Sequence, residues 1–172
     1  MSQGFNVLVV DDDPDMLGIL TRLLRKDGYQ VVALQDAEEA AHRLGQEPFD
    51  VILSDYAMPG MNGVDLLRRA KLVRPGALRI LLTGQPDLAM AVDAINRGEV
   101  YRFMAKPFNP LELSLDLRLA CEQLTLRREN ERLLGEIRKH DGVLDRLERQ
   151  YPGITRVRRA ADGTILLEDV QA

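Results

Sequence analysis

Phe5-Asn6-Val7-Leu8-Val9-Val10-Asp11-Asp12-Asp13-Pro14 decides the fold. A short, mostly apolar run stops at three successive acids. Asp13-Pro14 then offers a helix N-cap followed by proline at the first helical position. A run this short, rich in Val and Leu, is a buried strand, and a strand feeding a capped helix begins a β-α unit. The pattern recurs at Gln30–Leu34, Val51–Ser54, Leu78–Leu82 and Val100–Met104.

Each run except the last is followed by a turn signal and a helical period. Met16, Leu17, Leu20, Leu23 and Leu24 share one face, closed by Gly28. Asp36 with Glu39 reads as a capping box for a second helix that stops near Gly45. Val64, Leu66, Leu67 and Ala70 form a third helix, and Leu88, Ala89, Val92 and Ile95 a fourth, closed by Gly98. Asn109-Pro110 with Glu112 opens a fifth. Strand–helix alternation of this kind predicts an α/β fold, an open, doubly wound parallel sheet with helices on both faces.

Leu111, Leu113, Leu115, Leu117 and Leu119 alternate, which is also a strand pattern. The cap and the helical period that continues beyond them favour a helix. Leu113, Leu117, Ala120 and Leu124 then share one face and Leu111, Leu115 and Leu119 an adjacent one. So wide an apolar surface predicts packing on the sheet plus one further contact.

Composition excludes several function classes. The 172 residues carry 23 Lys and Arg against 27 Asp and Glu, a net charge of −4 that signals no nucleic-acid affinity. One Cys and two His are too few for a disulfide framework or a zinc ribbon, and no Trp offers a stacking platform. His42 and His140 read as helix-surface or seam residues and Cys121 as inert packing. A signal peptide and a membrane span are not expected, so the expected location is cytoplasmic.

From Arg118 to Gln150 the chain has no Pro, and its charges alternate in sign. Gln123, Asn130, Ile137 and Leu144 fall on a positions of a heptad, with Leu119, Leu126, Leu133, His140 and Leu147 on d. The spacing predicts a coiled coil of about four heptads, roughly 40 Å long. Asn130 at an a position favours a parallel homodimer. Glu136 against Asp141, and Gly135 and Gly142, oppose it. Pro152-Gly153 then stops the helix, and Ile154–Arg159 and Thr164–Glu168 flank Asp162-Gly163 as a small hairpin.

Strand ends are where such a sheet collects polar groups. Asp11 and Asp12 follow the first run, Asp55 the third, Thr83 the fourth and Lys106 the fifth. Three carboxylates brought together require a cation, and oxygen ligands without His or Cys suit Mg²⁺. A carboxylate is a competent nucleophile toward phosphorus. The phosphoryl oxygens would meet Mg²⁺, the Lys106 ammonium and the Thr83 hydroxyl.

Val9-Val10-Asp11-Asp12-Asp13-Pro14, Ser54-Asp55-Tyr56-Ala57-Met58-Pro59-Gly60-Met61-Asn62-Gly63, Leu82-Thr83-Gly84 and Lys106-Pro107-Phe108 together resemble the receiver domain of two-component response regulators. The resemblance spans about residues 4–120. It implies the flavodoxin-like strand order 2-1-3-4-5 and Asp55 as acceptor of a phosphoryl group from a sensor histidine kinase. Asp12, Asp55 and the main-chain carbonyl of Ala57 would ligate Mg²⁺ directly, and Asp11 through water. Met58-Pro59 and Gly63 would shape the loop after the acceptor. Thr83 and Phe103, with Tyr101 nearby, would form the conformational switch, read out by the fourth helix, fifth strand and fifth helix. Ala57 and Gln85 stand where dephosphorylation is tuned.

Tyr101-Arg102-Phe103 before Met104-Ala105-Lys106-Pro107 also resembles receivers joined to cyclic-dinucleotide phosphodiesterases. That output needs several metal-binding His, which this chain does not have. The expected organisation is a receiver over 1–120, a coiled-coil extension over 121–150 and a hairpin tail over 151–172. The function expected is a non-enzymatic phosphoacceptor that signals by protein contact, without nucleic acid or membrane. Two alternatives remain. Asp11-Asp12-Asp13 superficially fits a haloacid-dehalogenase-type phosphatase, but Asp15 stands where Thr or Val is expected. A DNA-binding regulator would need a recognition module that 22 tail residues do not form.

Overall fold

The computed structural model describes residues 4–84 and 100–152. The helix expected over Leu88–Ile95, Gln85 and the tail hairpin lie outside the described residues. The described elements run β1 (Asn6–Val10), α1 (Pro14–Lys26), β2 (Gln30–Leu34), α2 (Ala37–Gln46), β3 (Val51–Asp55), α3 (Gly63–Val73), β4 (Leu78–Thr83), β5 (Arg102–Ala105) and α4 (Pro110–Gln150). The strands form one parallel sheet in the order β2-β1-β3-β4-β5, the flavodoxin-like order.

Alternation along each strand sorts the core into two layers. Val7 and Val9 of β1 pack with Leu17, Leu20 and Leu24 of α1 and with Leu113, Leu117, Cys121 and Leu124 of α4. Leu8 and Val10 point the other way, onto Ala37, Ala40 and Leu44 of α2 and Leu66, Leu67 and Ala70 of α3. Both faces of the sheet are therefore covered, which is why its strands read as continuous apolar runs.

The caps fix where each helix begins. The Asp13 carboxylate accepts from the amides of Asp15 and Met16, Asp36 from Glu39, Asn62 from Asp65, and Asn109 from Leu111. Gly28, at φ 91°, takes the left-handed conformation after α1 that a side chain would oppose.

The chain divides into two units, Met1–Leu124 and Thr125–Ala172. α4 is one continuous helix, so the alternating leucines are helical and not a strand. Its inner face, Leu113, Leu117, Ala120 and Leu124, is buried as expected. The adjacent face is not: Leu111, Leu115 and Leu119 are exposed within the chain. Beyond Leu124, Leu126, Leu133, Ile137 and Leu144 are exposed, Leu147 half-buried and Asn130 and His140 exposed. The seam residues thus share no burial within the single chain.

Candidate functional site

Strand order reverses between β1 and its neighbours, and the carboxyl ends of β1 and β3 meet there. Asp11 is the residue after β1, and it is buried. Asp55 and Thr83 are the last residues of β3 and β4 rather than the residues after them, a one-residue correction to the expected strand ends. Both are buried. Asp12 is exposed. Asp11, Asp12 and Asp55 each present a carboxylate oxygen within 4.8 Å of the others.

Lys106, just after β5, joins two of these acids. Its Nζ donates to Asp11 Oδ2 and to Asp55 Oδ1, each at 2.6 Å. The second Asp55 oxygen, Oδ2, accepts from the Ala57 amide at 2.8 Å. Asp11 Oδ1 accepts from the Asp13 amide at 3.0 Å. Sequence reasoning assigned Ala57 only a carbonyl, so its amide was missed. An N–H two residues beyond an Asp is a common turn partner and is the signal that would have found it.

Electrostatics show how far one ammonium goes. Burial raises the Asp11 carboxyl above its ordinary value, and the Lys106 and Asp13 hydrogen bonds only partly oppose this. Burial alone would lower Lys106. Hydrogen bonds and charge from Asp11 and Asp55 outweigh it and hold the ammonium above its ordinary value. Three carboxylates against one cation leave a net negative pocket of hard oxygen donors, which fits a divalent ion such as Mg²⁺.

The loop after β3 is shaped by close packing. Met58 and Met61 are buried, and Gly60 has φ 76°. At Gly63 an added Cβ would sit 2.0 Å from the Asp55 carbonyl oxygen and 2.9 Å from Leu81 Cδ1. Only glycine lets α3 start against the strand that carries Asp55.

The switch candidates separate. Thr83 is buried, and its carbonyl accepts from the Lys106 amide at 2.7 Å. Phe103 is partly buried against the layer that contains α2 and α3. Tyr101 is at the surface, and its hydroxyl donates to Gln123 Oε1 at 2.7 Å. Cys121 is buried against Tyr29, whose hydroxyl is pushed up by burial and by the thiol. His42 is exposed and lies 3.5 Å from the Gln46 amide. No described helix is long and apolar enough to cross a membrane.

A family model for the response regulator receiver domain matches residues 7–118. The C4-dicarboxylate transport transcriptional regulatory protein DctD of Rhizobium meliloti (strain 1021) is 37% identical over 133 residues, 77% of this chain. The match spans only 29% of that regulator's length. The signal receiver domain of an HD domain-containing protein from Pseudomonas fluorescens Pf-5 is 37% identical with a TM-score of 0.69, covering 75% of this chain and 95% of that one. A response regulator from Burkholderia pseudomallei, solved with a phosphorylated aspartic acid, calcium ion and citrate, is 29% identical with a TM-score of 0.62, covering 74% of each chain. Receivers are a phosphoacceptor family served by histidine kinases, and by motif, strand order and acid cluster this chain belongs to the response regulator receiver family.

Proposed function

We propose that Asp55 of this receiver accepts a phosphoryl group from the phosphohistidine of a sensor histidine kinase or a phosphotransfer protein, in the cytoplasm. One observation carries the reading. Lys106 holds Asp55 and Asp11 together at 2.6 Å each, with Asp12 inside the same 4.8 Å cluster. An Asp55 oxygen forms the new O–P bond while the P–N bond breaks, and the imidazole leaves with the electron pair and takes up a proton. The Ala57 amide and Lys106 fix the carboxylate's orientation, so little reorganisation is needed.

Asp12, Asp55 and the Ala57 carbonyl would hold Mg²⁺, with Asp11 behind a water. Bound there, the ion neutralises charge on the acids and on the transferred group. Lys106 and the Thr83 hydroxyl take the remaining phosphoryl oxygens, and a new charge beside Thr83 biases a two-state switch that includes Phe103. Tyr101, turned onto α4, acts elsewhere. The calcium ion and phosphorylated aspartic acid of the Burkholderia pseudomallei regulator support the same chemistry here.

Output on this reading runs through protein contact, not catalysis. The receiver spans 1–120 and the helical extension 121–150, with a tail over 151–172. The extension forms a parallel homodimer through Leu119, Leu126, Asn130, Leu133, Ile137, Leu144 and Leu147. DctD is a transcriptional regulatory protein by name, and the length it does not share with this chain bears on output, not on the acid cluster.

The test uses acetyl phosphate and Mg²⁺, with phosphorylated and free protein resolved on a phosphate-affinity gel. Wild type gives a shifted band and Asp55→Asn does not. No wild-type shift, or an undiminished one in the variant, refutes the assignment. Light scattering of full-length wild type against Leu126→Glu with Leu133→Glu tests the dimer, and equal masses refute it.

A further inference from the structure

Two polar contacts tie the last strand to the long helix, and neither belongs to the acid cluster. Arg102 Nε donates to Asp116 Oδ2 at 2.7 Å, where the Asp116 side chain is 12% exposed. The Tyr101 hydroxyl donates to Gln123 Oε1 at 2.7 Å. On the heptad register of the helix, Asp116 and Gln123 are successive a positions. Both a positions are therefore engaged from within the chain, Asp116 by β5 itself and Gln123 by the residue just before it.

The two contacts are not equivalent. Asp116 at paired a positions would meet its own charge in a second copy, so a seam does not extend that far. Its bond to Arg102 is an anchor. Gln123 carries a neutral amide, which a dimer accommodates as it does Asn130. We propose that the Tyr101–Gln123 hydrogen bond is a latch that keeps Gln123 out of the seam formed with a second copy of this chain. The inference rests on the dimer reading above and adds its regulation.

The occupant follows from pattern and charge. Leu126, Leu133, Ile137 and Leu144 form an exposed stripe at 4-3 spacing, flanked by exposed Leu134 at e and Val143 at g, and Arg128, Glu131, Arg138 and Arg149 mark the opposite face as polar. An apolar seam with apolar flanks, backed by charge, suits a helix of its own kind. In a parallel pair Glu122 at g faces Arg127 at e of the second copy, an attractive contact. Arg127 is bonded meanwhile to Glu131 of its own helix at 3.1 Å. Arg132 bridges Glu129 and Glu136, both at g, at 2.6 Å each, which offsets acid repulsion beside the seam.

Position gives the latch its meaning. Tyr101 directly precedes β5 and Lys106 directly follows it. One short strand carries the latch at one end and the residue that holds Asp11 and Asp55 at the other, so a shift of that strand along its axis acts on both.

The experiment is sedimentation equilibrium on the full chain. Tyr101→Phe removes only a surface hydroxyl from each copy, and releasing one such hydrogen bond per copy, two per pair, tightens the dimer about thirtyfold. Gln123→Ala removes the acceptor, so adding Tyr101→Phe to it changes nothing further. Leu133→Glu reports the seam itself and is monomeric. A Tyr101→Phe constant within about twofold of wild type, while Leu133→Glu is monomeric, overturns the latch and leaves the dimer standing. A Tyr101→Phe effect that persists in the Gln123→Ala background also overturns it. No association in any variant overturns the dimer and the latch together. Circular dichroism confirms that each variant is folded.

Discussion

Gly63→Ala concentrates the demands of the fold and the site in one methyl group. The added Cβ lands 2.0 Å from the Asp55 carbonyl oxygen. An aliphatic carbon approaches such an oxygen to about 3.3 Å, so strand and helix must separate by about 1.3 Å. Neither side yields easily. The oxygen belongs to the backbone of a fully buried strand, and it already accepts from the Ser54 hydroxyl at 2.9 Å. Leu81 Cδ1, at 2.9 Å, blocks a sideways escape. Overpacking of this kind costs about 2–3 kcal/mol. For a domain of this size that is about 8–12 °C in Tm. On the acceptor role proposed above the functional loss is larger, because moving the Asp55 backbone by about 1 Å misplaces its carboxylate and costs about 10²-fold in phosphorylation rate. Thermal unfolding by circular dichroism reads the first number. Acetyl phosphate labelling on a phosphate-affinity gel reads the second. Gly45→Ala is the control, since its Cβ meets nothing within 4 Å and α2 gains helix propensity of about 1 kcal/mol. A Gly63→Ala protein that melts with wild type and labels at the wild-type rate would refute the steric account of the acceptor loop.

Mg²⁺ at ten times its dissociation constant stabilises the fold by about 1.4 kcal/mol, or about 5 °C in Tm, and Asp12→Asn loses most of that shift; an equal shift in both proteins removes Asp12 from the ion site. Asp11 is held above its ordinary value by burial, so its ionisation costs stability. In Mg²⁺-free buffer, the Asp11 contribution to wild-type stability therefore falls as pH rises from about 3.8 through the raised value. Asp11→Asn flattens that slope, read from urea midpoints, and an unchanged slope excludes Asp11 as its source. Lys106 is also raised, so its contribution stays intact until pH exceeds 10.5. Gly135 and Gly142 lie in α4 with nothing within 4 Å of an added Cβ. Replacing both by Ala adds about 2 kcal/mol of helix propensity, seen as greater ellipticity at 222 nm and slower amide exchange across Thr125–Gln150. Unchanged exchange there would mean that the glycines do not limit the helix.

The fold was legible because its signals are local and repeated. Asp13, Asp36 and Asn109 announce helix starts by their own chemistry, and all three cap as expected. The short Val/Leu runs announce strands buried on both faces, and the five strands formed in the expected order. The acid cluster was legible for a topological reason: residues at the carboxyl ends of parallel strands share an edge wherever they fall in sequence. The joint action of Lys106 was less visible. Lys106 Nζ is shared between Asp11 and Asp55 across 95 and 51 residues of chain, and nothing in a local window states that one ammonium serves two acids.

The long helix marks where periodicity stops being sufficient. Leu113, Leu117, Ala120 and Leu124 follow from spacing alone, because burial against a sheet needs one continuous face. The 4-3 pattern likewise placed Gln123 on the seam side, but it says nothing about which polar groups lie opposite. The group opposite Gln123 is the Tyr101 hydroxyl, from the residue just before β5, and Arg102 at the start of that strand holds Asp116 one heptad earlier. A hydrogen bond between exposed groups nets only about 1 kcal/mol, so such a contact leaves no compositional trace. Its leverage comes from place. On the dimer proposed above, Gln123 is the first a position of the heptads that run into the extension, just before the Leu124–Thr125 boundary between the two units. Holding that residue would then bear on where the seam begins without touching any of its leucines.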